Sequence, residues 1–584
     1  MARPDPHSHT DVSQPHQQHL SWKAEVDFGA RTLRATATLR FDRGGATVDL
    51  DSRSLAIESV TAADGRPLRF EVGPTEPILG ERVRIELPSG VDTCVIRYRT
   101  APEASALQWL EPEQTAGGKA PFLYSQCQAI HARSVVPLQD TPRFRITYDA
   151  ELVIPAALRG LMAAGALGRE VRGDVAVERY RMEEPIPPYL FAFAVGDLAS
   201  AELGPRSRVW AEPSVVGRAA HEFVGVDRML NSAEALFGPY PWGRFDLLVL
   251  PPSFPYGGME NPRLTFLTPT LLTGDRSLVN VVAHELSHSW TGNLVSNATA
   301  EDFWLNEGFT VFAERRILEV LEGPEMVALH AAVGRQALDE AVANFRDRPQ
   351  LTRLRTKLEG VDPDDAFSQV PYEKGFLFLR AIEEAVGRLA FDRFLRRYME
   401  AFRFQSITTE ELLDLVRTEL PGALEAVNAP RWIDGEGVPA GAPSARSSRL
   451  EKVEALKTDL PPASAKDWSP WEWQVYLNHL PRPSPPELMT ALEERFQLTE
   501  APNPEVLVSW LTVAVRSGHV PAVRRAEVLL GEVGRMKYLK PLYAALIAGP
   551  GTRSIAEACA KRYRKRYHVI AAAGVEALLR KGAT

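Results

Sequence analysis

The hydrophobic residues of this chain change their spacing once along its length, and that change limits the folds it can adopt. Apolar and polar residues alternate over residues 33–41, a period of two that is typical of strands with one buried face. From about Glu222 the period approaches 3.6, which predicts helices over 278–291 and 301–321. The pattern therefore predicts a β domain over residues 1–200, followed by a mixed and mostly helical region.

The length of 584 residues excludes a single hydrophobic core, because cores stop growing at about 250 to 300 residues. A stretch rich in Gly, Pro, Ala and Ser between Trp432 and Ser448 is typical of a linker. Beyond it, amphipathic segments over 486–497, 504–517 and 520–536 predict an α-helical tail. We therefore expect a multidomain α+β protein. Its parts would be an N-terminal β domain (1–200), a mixed α/β domain (201–433), a linker (434–450) and a C-terminal α-helical domain (451–584).

Composition excludes several classes of function. A formal net charge of -8 argues against a nucleic-acid partner, because phosphate binding needs a basic surface. The basic run over 561–567 is short and is interpreted as a solvated helix face. The three cysteines are far apart, and the first twenty residues lack the apolar segment of a secretion signal. No apolar run approaches the roughly 18 residues of a membrane span. We expect a cytoplasmic protein with neither nucleic acid nor membrane as partner.

One five-residue motif, His284-Glu285-Leu286-Ser287-His288, lies inside an apolar run of helical length. Residues four apart project from the same face of a helix, so His284 and His288 can present two imidazoles to one Zn²⁺. Glu285 would stand beside that metal, where it suits a general base that takes a proton from a water acidified by zinc. The motif therefore predicts a metal-dependent hydrolase.

A catalytic zinc needs a third protein ligand and an open position for water. Glu307, on the next helical segment, is the candidate. A random chain with 12 His would show the five-residue motif with a probability on the order of 1%, so the motif needs this support. The alternative is a buried helix whose two histidines have ligand spacing by chance. We predict one Zn²⁺ per chain, bound by His284, His288 and Glu307.

Further motifs make the chain resemble the gluzincin zinc aminopeptidases, in their leukotriene A4 hydrolase and aminopeptidase B branch. Tyr256-Gly257-Gly258-Met259-Glu260-Asn261 resembles the exopeptidase motif of that family and precedes the zinc motif in the same order. Pro371-Tyr372-Glu373-Lys374-Gly375 and Gly534-Arg535-Met536-Lys537 follow. The likeness covers nearly the whole chain. It implies a saddle-like β domain, a thermolysin-like catalytic domain and an armadillo/HEAT-like helical domain.

The resemblance also implies the parts of an aminopeptidase site. Glu260 would pair with the free amino group of a peptide, because a buried carboxylate is the natural partner of an ammonium. Gln128 would make a second contact with that group. Tyr372 would stabilise the negative charge on the carbonyl oxygen, and Glu314 would orient a ligand histidine. The remaining residues that the motif implies as substrate-binding are Tyr256, Gly257, Gly258 and Met259.

The helical tail is expected to close the site and to read the far end of the substrate through Arg535 and Lys537. A peptide held by Glu260 at one end and by Arg535 at the other must be short, which favours tripeptides. The alternative for Arg535 is a salt bridge between domains. The predicted partners are short peptides with a free amino end. The oligomeric state stays open, and a monomer is sufficient for this chemistry.

One departure from the family pattern concerns Phe367, which stands where leukotriene A4 hydrolase has a tyrosine near its epoxide site. Phenylalanine keeps the packing but lacks the hydroxyl, so the alternative of an epoxide hydrolase is disfavoured. Asp364 matches the aspartate linked to that activity and would instead favour Arg or Lys as the first residue. Two further alternatives are a thermolysin-like endopeptidase, which Glu260 opposes, and a noncatalytic peptide-binding protein. The sequence as a whole predicts a zinc metallo-aminopeptidase.

Overall fold

The structure is a computed structural model that describes residues 5–581. Its first part consists mainly of strands, as the alternating pattern predicts. These strands are β1 Gln17–Asp27, β2 Thr32–Phe41, β3 Thr47–Ser52, β4 Ala56–Ala62, β5 Phe70–Val72, β6 Glu81–Glu86, β7 Thr93–Arg99, β8 Leu107–Leu110, β9 Phe122–Ser125, β10 Ile146–Pro155, β11 Arg159–Met162, β12 Gly165–Arg172, β13 Val175–Ile186 and β14 Phe193–Gly196.

Three sheets make up this β domain. The largest has seven strands in the order β12-β13-β10-β1-β2-β7-β4, with β1 and β10 paired in parallel near its centre. A four-stranded sheet has the order β11-β14-β9-β8, and β3, β6 and β5 form the third. Strand β9 ends at Ser125, three residues before Gln128, so the four-stranded sheet carries the chain to the site described below.

The central part combines a five-stranded sheet with helices. Its sheet has the order β15-β16-β17-β19-β18, and the short edge strand β18 contains Gly258 and Met259 of the exopeptidase motif. The elements are β15 Ala199–Gly204, β16 Ser207–Ala211, α1 Val216–Glu222, α2 Val226–Phe237, β17 Phe245–Val249, β18 Gly258–Met259, β19 Leu264–Leu267, α3 Asn280–Ser287, β20 Val295–Asn297, α4 Trp304–Glu322, α5 Pro324–Asn344, α6 Pro363–Ala366, a π-helical turn Val370–Lys374, α7 Gly375–Val386, α8 Arg388–Ala401, β21 Gln405–Ile407, α9 Thr409–Glu419, α10 Ala423–Ala426 and α11 Ala429–Ile433.

The last part is helical. Its helices are α12 Ser448–Glu454, α13 Pro470–His479, α14 Pro486–Phe496, α15 Pro504–Arg516, α16 Val520–Glu532, α17 Met536–Ala548, α18 Arg553–Tyr563 and α19 Val569–Lys581. The helix predicted over 520–536 is therefore shorter than expected, since α16 ends at Glu532 and α17 begins at Met536. Gly534 and Arg535 lie in the connection between them, where a Cβ at Gly534 would approach the carbonyl oxygen of Pro252 to 2.6 Å. That close approach brings the connection against the central part.

Within residues 5–581, two large hydrophobic cores and one small cluster of three buried side chains hold the molecule together. One large core extends through the β domain and the central part, and includes Trp22, Trp242 and Trp304. The other large core lies in the helical tail but includes Leu329 from α5, so the tail packs on a helix of the central part. The predicted fold class, with a β domain, a mixed central domain and a helical tail, is confirmed. The domain boundaries placed at residues 200, 433 and 450 stay predictions.

Candidate active site

The two histidines and Glu307 converge at the meeting of helices α3 and α4. Nε2 of His284 lies 3.2 Å from Nε2 of His288, and Oε2 of Glu307 lies 3.3 Å and 3.6 Å from these two nitrogens. Oε2 of Glu307 is buried and has no hydrogen-bond partner among residues 5–581. Two imidazole nitrogens and one carboxylate oxygen within 4.8 Å of one another are a donor set that suits Zn²⁺. The residues present therefore fit the predicted metal.

The outer nitrogen of each histidine is already bonded to the protein. Nδ1 of His284 lies 3.0 Å from a carboxylate oxygen of Glu314, and Nδ1 of His288 lies 3.1 Å from the carbonyl oxygen of Thr291. Both acceptors favour a proton on Nδ1, which leaves the Nε2 lone pairs free for a metal. Burial lowers the pKa of His284, but the carboxylates of Glu307 and Glu314 beside its ring outweigh burial and raise that pKa well above its usual range.

Glu285 faces the same space from the last turn of α3. A Cβ at Gly258 would lie 2.4 Å from Oε1 of Glu285, so only glycine leaves room for that carboxylate. Burial, with the nearby carboxylates of Glu260 and Glu307, raises the pKa of Glu285 well above its usual range. Its carboxylate is thus a stronger base than one in water, as proton abstraction at neutral pH requires.

Glu260 lies on the other side of the metal ligands. Carboxylate oxygens of Glu260 and Glu285 and a ring nitrogen of His288 all lie within 4.8 Å of one another. Nε2 of Gln128 donates to Oε1 of Glu260 at 3.4 Å, and the side chain of Asn293 donates to the Glu260 carbonyl oxygen at 2.7 Å. Burial raises the pKa of Glu260 to about 7. A bound ammonium would restore the charged carboxylate by pairing with it.

Tyr372 projects from the π-helical turn towards the same ligands. Its ring stacks on that of His284, with 6.1 Å between centroids and 19° between planes. Burial, followed by the charge of Glu307, raises the pKa of Tyr372 well above its usual range, so the phenol keeps its proton. The turn can approach Glu307 because Gly308 and Gly375 meet backbone to backbone, where a Cβ on Gly308 would lie 2.8 Å from the Gly375 Cα.

A mostly apolar cavity opens beside Gln128. Tyr256 and Phe367 line it with their rings 6.2 Å apart, and Asp364 stands on its wall. Oδ2 of Asp364 lies 3.0 Å from Nε2 of His131, whose Nδ1 lies 2.8 Å from the Ser105 hydroxyl. Sequence reasoning gave His131 no role, since its partner lies 233 positions away and no local spacing indicates it.

Arg535 lies in the connection between α16 and α17 and Lys537 in the first turn of α17, and both pair with Glu505 of helix α15. Nη1 of Arg535 lies 3.3 Å from the Glu505 carboxylate and donates to the Tyr538 hydroxyl at 2.9 Å, and Nζ of Lys537 lies 2.7 Å from the other oxygen. Glu505 belongs to the helical tail, so the alternative of a salt bridge between domains is wrong for Arg535. Nη1 also approaches the Thr270 hydroxyl of the central part at 3.5 Å.

The unused edge of the Arg535 guanidinium faces the exopeptidase motif. A Cβ at Gly257 would lie 2.8 Å from its Nη2, and its Nε is buried without a hydrogen-bond partner. Lys537 is 53% exposed, whereas Arg535 is 6% exposed, so the two cations differ in their contact with solvent. Glu505, which sequence reasoning missed, determines the position of both.

None of the helices within residues 5–581 combines the length and the apolar character that crossing a bilayer requires. The ligand set and the three-part fold together define a zinc metallopeptidase. Models of three families match the chain: the peptidase M1 N-terminal domain over residues 15–190, the peptidase family M1 domain over 223–432, and the leukotriene A4 hydrolase C-terminal domain over 468–579.

Named relatives agree along nearly the whole length. The chain is 39% identical to leukotriene A-4 hydrolase of Xenopus laevis over 570 residues, which is 93% of each protein. It is 38% identical to aminopeptidase B of Mus musculus over 580 residues, covering 91% of this chain and 88% of that protein. The structure of yeast LTA4 hydrolase in complex with bestatin superposes with a TM-score of 0.90 at 31% identity, covering 99% of this chain and 97% of that one.

The chain belongs to peptidase family M1 and carries the C-terminal domain of leukotriene A4 hydrolases. The predicted family, the zinc cofactor and the classification as a zinc-dependent metallo-aminopeptidase are thereby confirmed. The roles assigned to single residues stay predictions, and so do the choice of peptide and any epoxide chemistry.

Proposed function

We propose that this enzyme removes single residues from the free amino end of short peptides. The observation that carries the proposal is the position of Glu260, whose carboxylate lies within 4.8 Å of both the Glu285 carboxylate and a His288 ring nitrogen. An ammonium bound by Glu260 would hold the first peptide bond, and no later one, beside the proposed base. An endopeptidase needs no such carboxylate, so this alternative is disfavoured.

The other residues would divide the chemistry among them. When bound, Zn²⁺ supplies a water of lowered pKa and polarises the peptide carbonyl. Glu285 would accept a proton from the attacking water and later deliver it to the leaving amine. Tyr372 would donate a hydrogen bond to the carbonyl oxygen as negative charge develops there. Glu314 would hold His284 in the tautomer that leaves Nε2 free.

The cavity beside Gln128 would receive the first side chain. Its apolar wall, with Tyr256 and Phe367, suits a large side chain, while Asp364 offers a carboxylate to Arg or Lys. An epoxide hydrolase of the leukotriene A4 type is the alternative, and the apolar cavity favours it. Phe367 disfavours it, because that side chain has no hydroxyl to contribute. Arg amides should compete well with Leu amides as substrates. Asp364→Asn should lower the ratio of the cleavage rate of Arg amides to that of Leu amides.

Arg535 would read the far end of the substrate. Its Nε and Nη2 form the edge of a guanidinium that suits bidentate binding of a carboxylate. Nε has no partner and Nη2 lies beside Gly257, so this edge faces the path of a peptide running from Glu260. Lys537 would add charge from the solvent side. A substrate held at both ends must be short, which favours tripeptides.

Hydrolysis of single-residue chromogenic amides tests the proposal. A chelator should abolish activity and Zn²⁺ should restore it, while an amino-terminally acetylated substrate should be inert. Glu260→Gln should lower the rate of hydrolysis of the free substrate and leave that of the acetylated substrate unchanged. The difference between the two rates should therefore become smaller. Equal cleavage of free and acetylated peptides by the native enzyme would overturn the assignment of an aminopeptidase.

A further inference from the structure

Lys374, two residues after Tyr372, is a fully buried lysine with an unusual pair of partners. Its side chain is 0% exposed, and Nζ donates to the carbonyl oxygen of Thr352 at 2.8 Å and to that of Gly435 at 2.7 Å. Within residues 5–581 it makes no ion pair. A buried lysine without a carboxylate partner is costly, so its presence calls for a physical reason.

The state of the amine fits these two acceptors. Burial lowers the pKa of Lys374 to about 7, with the charges of Arg431 and Arg353 acting in the same direction. A neutral amine has two N–H donors, one for each of the two carbonyl oxygens that it contacts. The hydrogen bonds to Thr352 and Gly435 therefore persist whether or not the amine is charged.

The turn that carries Tyr372 is held at three places. Gly375 meets Gly308 of helix α4 backbone to backbone, directly after the ligand Glu307. Glu373 accepts from Nη2 of Arg315, also on α4, at 2.8 Å. Both contacts fix the turn against the helix that provides a metal ligand. The bonds of Lys374 hold the turn to two further chain segments, one at Thr352 and one at Gly435.

One of those segments leads to the helical tail. Gly435 follows helix α11 and begins the Gly- and Pro-rich stretch before α12, and the N–H of Gly437 donates to the Thr352 hydroxyl at 2.8 Å. A Cβ at Gly435 would lie 2.2 Å from the carbonyl oxygen of Arg431, so the backbone can take this path only with glycine at position 435. Lys374 thus connects the start of the linker to the turn of Tyr372.

We propose that Lys374 is a positioning residue for Tyr372, and that through it the first residues of the linker fix where the tyrosine hydroxyl meets the substrate. A role confined to stability would leave Tyr372 in place in any folded variant. A positioning role instead predicts that loss of Lys374 acts on turnover only while the Tyr372 hydroxyl is present. The inference rests on the proposed role of Tyr372 as a donor to the carbonyl oxygen.

A double-mutant cycle on kcat separates the two roles. Tyr372→Phe should lower kcat by about 10²- to 10³-fold. Lys374→Met should lower it by about 100-fold, because a misplacement of about 1 Å at a reacting group has that effect. In the Tyr372→Phe background, Lys374→Met should change kcat by no more than about twofold. Zinc content and the KM of a free tripeptide should stay close to those of the native enzyme.

A second variant disturbs the same hydrogen bond, between Lys374 and the Gly435 carbonyl, by a change in the linker. Gly435→Ala places a Cβ 2.2 Å from the carbonyl oxygen of Arg431, so we expect the backbone at Gly435 to shift together with the carbonyl that accepts from Lys374. The variant should then show the same dependence on Tyr372 without altering the lysine. Its matched control is Gly225→Ala, where φ is -88° and a Cβ meets nothing within 4 Å. Lys357→Met, at an exposed lysine, is the control for loss of a positive charge. Both controls should retain native kcat.

Each outcome decides a separate claim. Additive effects of Lys374→Met and Tyr372→Phe on kcat would overturn the inference alone. A Tyr372→Phe enzyme with nearly native kcat would overturn the proposed role of the tyrosine, and the inference with it. If Lys374→Met melts below the assay temperature, the cycle of Gly435→Ala with Tyr372→Phe distinguishes positioning from stability by the same criterion.

Discussion

The two ends of the active-site cleft are built in different ways. At the zinc end, His284 and His288 come from one helix and Glu307 from the next, with Glu314 two turns further along. At the far end, Arg535 comes from a connection between helices, and its main carboxylate partner Glu505 lies 30 positions earlier in a third helix. One end depends on helix periodicity, and the other on how the tail packs.

This difference determines what a change at each end can do. The ligands of the zinc end converge on a single point, where Glu307 would complete the metal site and Glu314 would orient one of its ligands. At the far end, Glu505 is shared by two cations and competes with any substrate carboxylate for them. We therefore expect losses at the zinc end to be large and to affect all substrates. Changes at the far end should be smaller and should depend on the substrate.

Glu285→Gln should have the largest effect. The amide keeps the shape of the side chain but cannot accept a proton, so kcat should fall by about 10²- to 10⁴-fold for every substrate. Zinc content, measured by metal analysis of the purified variant, should match that of the native enzyme. Inactivity that is explained by lost zinc would contradict the assignment of Glu285 as the base.

Glu314→Gln should come next, because it leaves all three ligands in place. The amide presents no charge to Nδ1 of His284, and loss of such a partner typically lowers metal affinity by about 10- to 100-fold. Competition with a chelator of known affinity measures this change, and excess Zn²⁺ should restore most of the activity. Glu319→Gln, on the same helix, 29% exposed and paired with Arg388 instead of a histidine, is the matched control. Unchanged zinc affinity in Glu314→Gln would contradict the orienting role.

Sequence reasoning succeeded where short spacing carries the information. Alternation over residues 33–41 corresponds to strand β2, and the four-residue spacing of the histidines corresponds to helix α3. It could not find His131 or Lys374, because their partners are set by packing between distant segments. The helix expected over 520–536 was too long, since apolar periodicity continues past Glu532 while the backbone turns to place Arg535.

Arg535→Ala should separate the two ends by substrate. Loss of a charge-assisted hydrogen bond costs about 1.5 to 3 kcal/mol, so kcat/KM for a free-acid tripeptide should fall by roughly 10- to 100-fold. The carboxyl-amidated tripeptide should lose far less, because it presents no charge to the guanidinium. Arg525→Ala, on helix α16 and away from the cleft, should leave both substrates unchanged. An equal loss on both forms would show that Arg535 does not read the carboxylate.

Substitution of Glu505 should have the smallest effect, and it tests the difference between the two ends most directly. The cluster holds two cations and one carboxylate, and Lys537 and Arg535 lower the pKa of Glu505 although burial opposes them, so the carboxylate is charged at neutral pH. Glu505→Gln keeps an acceptor for Arg535 and Tyr538 but removes the competing charge. Without the negative charge of Glu505, the attraction between the cations and a substrate carboxylate should gain about 1 kcal/mol in a water-like environment. The preference for the free-acid tripeptide over its amide should therefore rise by about fivefold.

The rise should shrink in high salt, because Lys537 is half exposed and its field is screened. Glu505→Ala provides the matched contrast, since it removes the acceptor as well as the charge and should lower the preference by freeing Arg535 to move. A fall with both variants would mean that the charge of Glu505 is needed to orient the guanidinium. The two ends would then follow one rule, in which every buried carboxylate supports the site. If this preference rises with Glu505→Gln and falls with Glu505→Ala, then Glu505 and the substrate carboxylate compete for the same cations at the far end. No such competition exists among the metal ligands.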